Sequence, residues 1–154
     1  MTIYERIQHV LNTNTVTFKT LHHEATRTSE ESAQVRGEPL EVGAKAIVMK
    51  VGKEFKLFVI SAARRIDARK IKAIFHVKKV RFATADELKA LTGLLPGSVP
   101  PFGRPIIDLD LFVDESIEAN DRVAFNAGSL TDSIIMARSD YMDVAGGTVL
   151  DFAQ

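Results

Sequence analysis

Residues 93–105 read Gly-Leu-Leu-Pro-Gly-Ser-Val-Pro-Pro-Phe-Gly-Arg-Pro, and three glycines with four prolines in so short a run exclude helix and strand alike. Proline fixes φ and removes a backbone donor, while glycine opens positive φ. The stretch is therefore a loop held in a defined shape, and regular elements are to be sought on either side of it.

Before the loop, Ile3, Ile7, Val10 and Leu11 share one helical stripe and predict a short amphipathic helix. Val16 and Phe18 alternate with threonines, as in a strand. Thr28 and Glu31 occupy the reciprocal positions of a capping box, so a helix is expected up to Arg36, stopped by Gly37. Ala44 to Val51 and Phe55 to Ser61 read as strands joined by a turn at Gly52-Lys53-Glu54. Asp67 can cap a helix with the stripe Ile71, Ile74 and Phe75, and Val77 to Phe82 suits a strand. Thr84 and Glu87 form a second capping box, and Gly93 ends that helix.

Beyond the loop, Ile107, Leu109, Leu111 and Val113 alternate as a strand would, which puts Asp108 and Asp110 on one face. Arg122 to Phe125 and Ile134 to Ala137 read as strands. Ser139 can cap a short helix through Val144, and Val149 to Phe152 closes the chain. Helices and strands mix without a regular βαβ rhythm. That predicts an α+β fold, a mixed sheet or barrel with packed helices, in a single domain over residues 1–154.

Lys plus Arg equals Asp plus Glu, 20 against 20. This balance excludes a protein that coats nucleic acid and leaves room for a small contact at one RNA end, with a shallow salt dependence. The chain has no cysteine, which removes disulfides, thiolate nucleophiles and cysteine zinc sites together. No apolar run approaches the roughly 18–20 residues of a membrane span, and the N-terminus lacks a signal-peptide core. A soluble cytoplasmic protein is expected.

Three places could carry chemistry. Lys45 lies in the apolar strand Gly-Ala-Lys-Ala-Ile-Val, on the face of Ile47 and Met49. It either snorkels to water or holds a phosphate or carboxylate. The loop Gly97-Ser98-Val99-Pro100-Pro101-Phe102-Gly103 is either a rigid connection or a wall of backbone N–H donors, of the kind that stabilises the oxyanion of ester hydrolysis. Asn126-Ala127-Gly128-Ser129 is a turn or a second backbone wall. His22 and His23 are adjacent, so on a strand they face opposite ways and chelate poorly. No metal or cofactor motif is present, and none is expected to be required.

These three segments, in this order, resemble the YbaK family, which includes the editing domain of bacterial prolyl-tRNA synthetases. The resemblance spans roughly residues 20–152. It rests on Gly-Ala-Lys-Ala-Ile-Val, on Gly97 and Pro101, and on the strand ending in Ala127-Gly128. It implies a barrel-like mixed sheet with a pocket for the 3′ end of an aminoacyl-tRNA. Catalysis would fall to Lys45, Gly97 and Ser98, with Lys45 on the terminal phosphate or ribose and the loop amides on the ester carbonyl. Thr28, Ser29, Val99, Pro100, Pro101, Phe102, Gly103, Asn126, Ala127, Gly128 and Ser129 would bind substrate. The family relies on substrate and water more than on a protein nucleophile. The sequence departs from relatives at Pro100 and at Ser129-Leu130, where the family often has a smaller residue and a basic one. Thr28-Ser29-Glu30 sits at the amino-acid wall and suits a small side chain. The implied activity is trans-editing hydrolysis of a mischarged tRNA, with a synthetase as a further partner. The alternatives are an inactive module of the same fold that binds the tRNA end or a synthetase, and an unrelated small-molecule domain.

Overall fold

Short capping side chains set most helix starts. The Thr2 hydroxyl accepts from the Glu5 N–H at 3.1 Å and the Glu5 carboxylate reaches back to the Thr2 N–H, opening α1 (Ile3–Thr13). In the computed structural model, which describes residues 1–154, β1 (Phe18–His22) follows, then α2 (Ser29–Arg36). Thr28 caps α2 through the Glu31 N–H at 3.1 Å, and Gly37, at φ 68°, ends it. The expected return half of that box does not form, because the Glu31 carboxylate accepts from the Arg27 N–H instead.

Next come β2 (Ala44–Val51) and β3 (Glu54–Ser61), turned at Gly52, and α3 (Ala68–Phe75), capped by Asp67. β4 (Val80–Phe82) is shorter than expected, because the Val77 N–H still closes onto the Lys72 carbonyl at the end of α3. The second capping box is complete at Thr84 and Glu87 and starts α4 (Ala85–Thr92).

β5 (Leu111–Asp114) also starts later than the alternation suggests. The N–H groups of Ile106 and Ile107 both turn back to the Gly103 carbonyl, at 2.9 and 3.0 Å, and curl the chain there. Asp108 and Asp110 therefore share no strand face, and both clasp the Arg104 guanidinium, at 2.7 and 2.5 Å. β6 (Arg122–Asn126) and β7 (Asp132–Ala137) form a hairpin that runs into α5 (Arg138–Ala145), and β8 (Thr148–Leu150) follows. Ser139 caps nothing, since α5 begins directly behind β7 and Ser139 lies inside its first turn.

The strands form two sheets. One is three-stranded and antiparallel, in the order β1-β7-β6. The other is five-stranded and mixed, β4-β2-β3-β5-β8, with β5 parallel to both its neighbours. The α+β class and the mixed sheet hold. The barrel does not close: the sheets meet at the single bridge between Gly43 and Ala124. Leu57, Phe58, Val59 and Ile60 in central β3 are buried on both faces. Leu57 and Val59 join the main core between the sheets, while Phe58 and Ile60 pack under α3 and the C-terminal Phe152.

The loop at 99–103 is part of that core. Phe102 packs edge-on against Phe125 and Tyr141, with ring centroids 5.4 and 5.5 Å apart. The fully buried Tyr141 hydroxyl donates to the Pro101 carbonyl at 2.7 Å. Tyr141→Phe orphans that carbonyl at nearly constant volume. It should cost roughly 1–3 kcal/mol in urea unfolding without changing the circular dichroism of the folded state.

Candidate functional site

β4 pairs with β2 only from Met49 to Val51, so the outer edge of β2 is open from Ala44 to Ile47. The hairpin register closes on the pair Val51–Glu54. Lys45 and Ile47 therefore exchange bonds with β3, while the peptide groups of Ala46 and Val48 turn outward. The Val48 carbonyl is taken by the Ala83 N–H at 3.0 Å. The Ala46 peptide group meets no strand and faces a cavity of about 260 Å³.

The cavity lies between this open edge, helix α2 and the start of the proline-rich loop. Thr28, Ser29, Lys45, Gly97, Val99 and Asn126, all expected from sequence, line it. Thr26, Arg27, Ser32, Arg36, Gly43, Ala44, Ala46, Ile47 and Ala62 line it too, and sequence reasoning missed them. Three cations and four hydroxyls face the space, and no carboxylate does.

Lys45 is half-buried, and its ammonium donates to the Arg64 carbonyl at 3.3 Å, leaving two of its three donors open. Burial and, next, the charge of Arg65 lower its pKa from the ordinary 10.5, with Glu30 pulling the other way. Arg36 sits in the last turn of α2, where a basic residue looks like a simple complement to the helix dipole. Its Nε donates to Ser133 Oγ and its Nη2 to Asn126 Oδ1, both at 2.9 Å. No carboxylate pairs with it. Burial lowers its pKa to about 10, so it remains charged at neutral pH. Asn126 in turn donates from Nδ2 to the Gly97 carbonyl at 2.7 Å, which ties the loop to Arg36.

Gly97, at φ 87°, is exposed, and its N–H and that of Val99 donate to no acceptor within the chain. The Ser29 hydroxyl is likewise unengaged, whereas Thr26 and Ser32 bond each other at 2.6 Å.

Eight expected residues lie outside the cavity. Ser98 is buried, and its hydroxyl donates to the Leu95 carbonyl at 2.7 Å. Pro100, Pro101, Phe102 and Gly103 are buried in the core. A Cβ on Gly103 would lie 2.7 Å from the Leu109 carbonyl oxygen, so this glycine serves packing. The second backbone wall is also spent internally. The Ala127 N–H goes to Asp132 O and the Gly128 N–H to Ser98 O, at 2.9 and 3.0 Å. Ser129 bonds Thr131 at 2.9 Å. His22 pairs with Asp132 Oδ1, and His23 holds Ser133 Oγ and the Glu24 carbonyl.

Residues 23–144 match the family model described as the aminoacyl-tRNA editing domain. The chain is 30% identical over 155 aligned positions to the multifunctional Ser/Thr-tRNA deacylase ProXp-y of Escherichia coli (strain K12), covering 97% of this chain and 92% of that one. It is 25% identical over 107 positions to the proline–tRNA ligase of Macrococcus caseolyticus, covering 70% of this chain and 18% of the ligase. Its fold superposes with a TM-score of 0.84, at 27% identity, on the crystal structure of a candidate trans-editing enzyme for prolyl tRNA synthetase, covering 99% and 97% of the two chains.

Replacing Arg36 by Leu removes the donor that Ser133 and Asn126 share. Asn126 then keeps only the longer bond from Ser133 Oγ, at 3.3 Å, and holds the Gly97 carbonyl less firmly. The change should cost roughly 1–3 kcal/mol in denaturant unfolding. It should also raise hydrogen exchange at Gly97 and Val99 while leaving β3 protected.

Proposed function

We propose that this chain, which belongs to the aminoacyl-tRNA editing domain family, is a trans-editing deacylase that hydrolyses the ester of a tRNA mischarged with a small amino acid. The observation that carries the reading is a cavity lined by cations, hydroxyls and free backbone amides, with no carboxylate. Such a lining suits the phosphate and ribose of an RNA end and repels no anion.

Attack of water on an ester places negative charge on the carbonyl oxygen. The free N–H groups of Gly97 and Val99 are the donors proposed to receive it. Lys45, with two open donors, is assigned to the terminal phosphate or ribose, and Arg36 adds a second fixed charge. No carboxylate or imidazole lines the cavity to act as general base. Proton transfer is therefore assigned to the substrate's neighbouring ribose hydroxyl, which takes the proton of the attacking water as it passes its own to the departing ester oxygen. The protein contributes position and oxyanion stabilisation to an ester that is already activated.

The cavity of about 260 Å³ is below the roughly 300–1,000 Å³ of ordinary small-molecule sites, which favours a small side chain. The unengaged Ser29 hydroxyl and the Thr26–Ser32 pair suit a hydroxyl-bearing one. Seryl and threonyl esters, the substrates named for the Escherichia coli relative, are thus proposed first, with alanyl esters next. A synthetase that releases mischarged tRNA is the proposed partner, in the cytoplasm. No helix is long and apolar enough to cross a membrane.

The test is ester loss from a panel of mischarged tRNAs. Hydrolysis of small aminoacyl esters is expected, falling by roughly 100-fold or more in Lys45→Ala with its fold intact, the scale on which one oxyanion or phosphate contact acts. A well-folded protein that cleaves no ester would point instead to the binding module. Because the Lys45 pKa is lowered, affinity for a non-hydrolysable analogue should weaken with rising pH before an ordinary lysine would deprotonate. Ser29→Val should cut hydrolysis of the seryl ester relative to the alanyl ester by about tenfold. Faster cleavage of aromatic esters would sink the small-pocket reading.

A further inference from the structure

A second recess, of about 370 Å³, opens at the far end of β2, where the β2–β3 turn meets β4. Lys50, Lys72, Lys78, Lys79 and Arg81 line it. In a chain with as many acids as bases, this is a marked local excess. Arg81 is held by the Glu87 carboxylate, at 2.7 and 3.0 Å. The ammonium groups of the four lysines form no ion pair and donate no hydrogen bond within the protein. Lys50 and Arg81 are moreover register partners across β2 and β4. Glu87 offsets the Arg81 side of this like-charged pair, and the Lys50 ammonium lies over the Phe55 ring at 5.8 Å with no carboxylate of its own.

The next residue of β4 is Phe82. It is 60% exposed, the most exposed aromatic side chain of the protein. Phe82 pairs with Met49, and the following Ala83 bonds Val48. Along the sheet, Phe82 therefore stands between the lysine recess and Ile47 at the wall of the 260 Å³ cavity. Lys50 and Lys45 are five residues apart on one strand, about 16 Å along its axis at the usual strand rise, with their side chains on opposite faces of the sheet, so an RNA strand touching both crosses the sheet edge over roughly five stacked nucleotides.

We propose that this edge is a track for the RNA strand leading to the aminoacylated end, with lysines on its phosphates and Phe82 stacked against an unpaired base. The inference rests on the deacylase reading for the identity of the RNA. It explains how a chain of zero net charge engages a polyanion: the contact is confined to one strip. Phosphate contacts by lysine set affinity without reading sequence, and an aromatic face accepts any base.

The test uses uncharged tRNA with an intact 3′ end, bound across a range of salt, together with two variants. One replaces Lys72, Lys78 and Lys79 by Ala, and the other is Phe82→Leu. With the four lysines on phosphates and Lys45 on the terminal phosphate, the wild-type log–log salt slope should be about −3.5, and the triple variant should flatten it by about 2. Phe82→Leu keeps an apolar side chain but loses the π-face. It should weaken binding by about tenfold with the slope unchanged. In parallel, hydrolysis of an aminoacyl-tRNA is compared with that of its aminoacylated terminal trinucleotide. The triple variant should lose about tenfold or more in kcat/KM on the tRNA and stay within about twofold on the trinucleotide. An unchanged salt slope in the triple variant overturns the track, and so does an equal loss on both substrates. Wild-type protein that hydrolyses neither substrate defeats the deacylase reading, and the binding slopes then decide the track by themselves.

Discussion

Phe102 sits between the two sheets, against Phe125 of one hairpin strand and Tyr141 of the helix that follows, and this seat fixes everything upstream of it. Its neighbours Val99, Pro100, Pro101 and Gly103 are buried as well, and Gly103 is held so close to the Leu109 carbonyl that no side chain fits there. A proline-rich segment carries few N–H groups that need partners, so it can be buried at low cost in unmet hydrogen bonds. Once seated, it presents Gly97 at the rim of the cavity. Asn126 and Arg36 then tie the Gly97 carbonyl to β6 and α2. The stability of the core and the geometry of the cavity thus depend on the same residues.

Charge is distributed in the opposite way to its total. Several carboxylates are engaged in structural pairs, such as Glu38 with Arg122 and Asp108 and Asp110 with Arg104. Asp114, buried at the end of β5, accepts from the Phe152 and Ala153 N–H groups at 2.8 and 3.1 Å and pins the C-terminal segment. Cations without an ion pair gather at two places: Lys45 and Arg36 in the cavity, and the lysines at the end of β2. A neutral sum conceals a positive strip. Desolvation makes the buried members of that strip costly to the fold, which is reasonable only where a ligand's charge offsets them.

Much of the secondary structure was legible because its signals are local. Thr28, Asp67 and Thr84 cap the helices predicted for them, and Gly37 and Gly93 end two of these. β2 spans the residues its apolar run indicates. The failures came where a distant or competing bond intervened. The alternation from Ile107 to Val113 looked like one strand, yet the Gly103 carbonyl draws the N–H groups of Ile106 and Ile107 into a turn. Ser139 looked like a cap, yet β7 delivers the chain into α5 without one.

The candidate site divides along the same line. Lys45, Gly97 and Asn126 stood out in sequence, because a lysine in an apolar strand, a glycine among prolines and a small-residue turn each break the local pattern. The buried half of the loop and the Ala127-Gly128 turn broke the pattern too, but for packing. Arg36 broke no pattern, and its partners Asn126 and Ser133 lie 90 and 97 residues away. The chain by itself determined the elements, the stiff loop and the exceptional lysine, since these follow from backbone conformation and side-chain period. Which N–H groups stay free, which cations stay unpaired and where the open edge of β2 falls were decided only by the tertiary structure. Each of these depends on whether residues far apart in sequence arrive as hydrogen-bond partners.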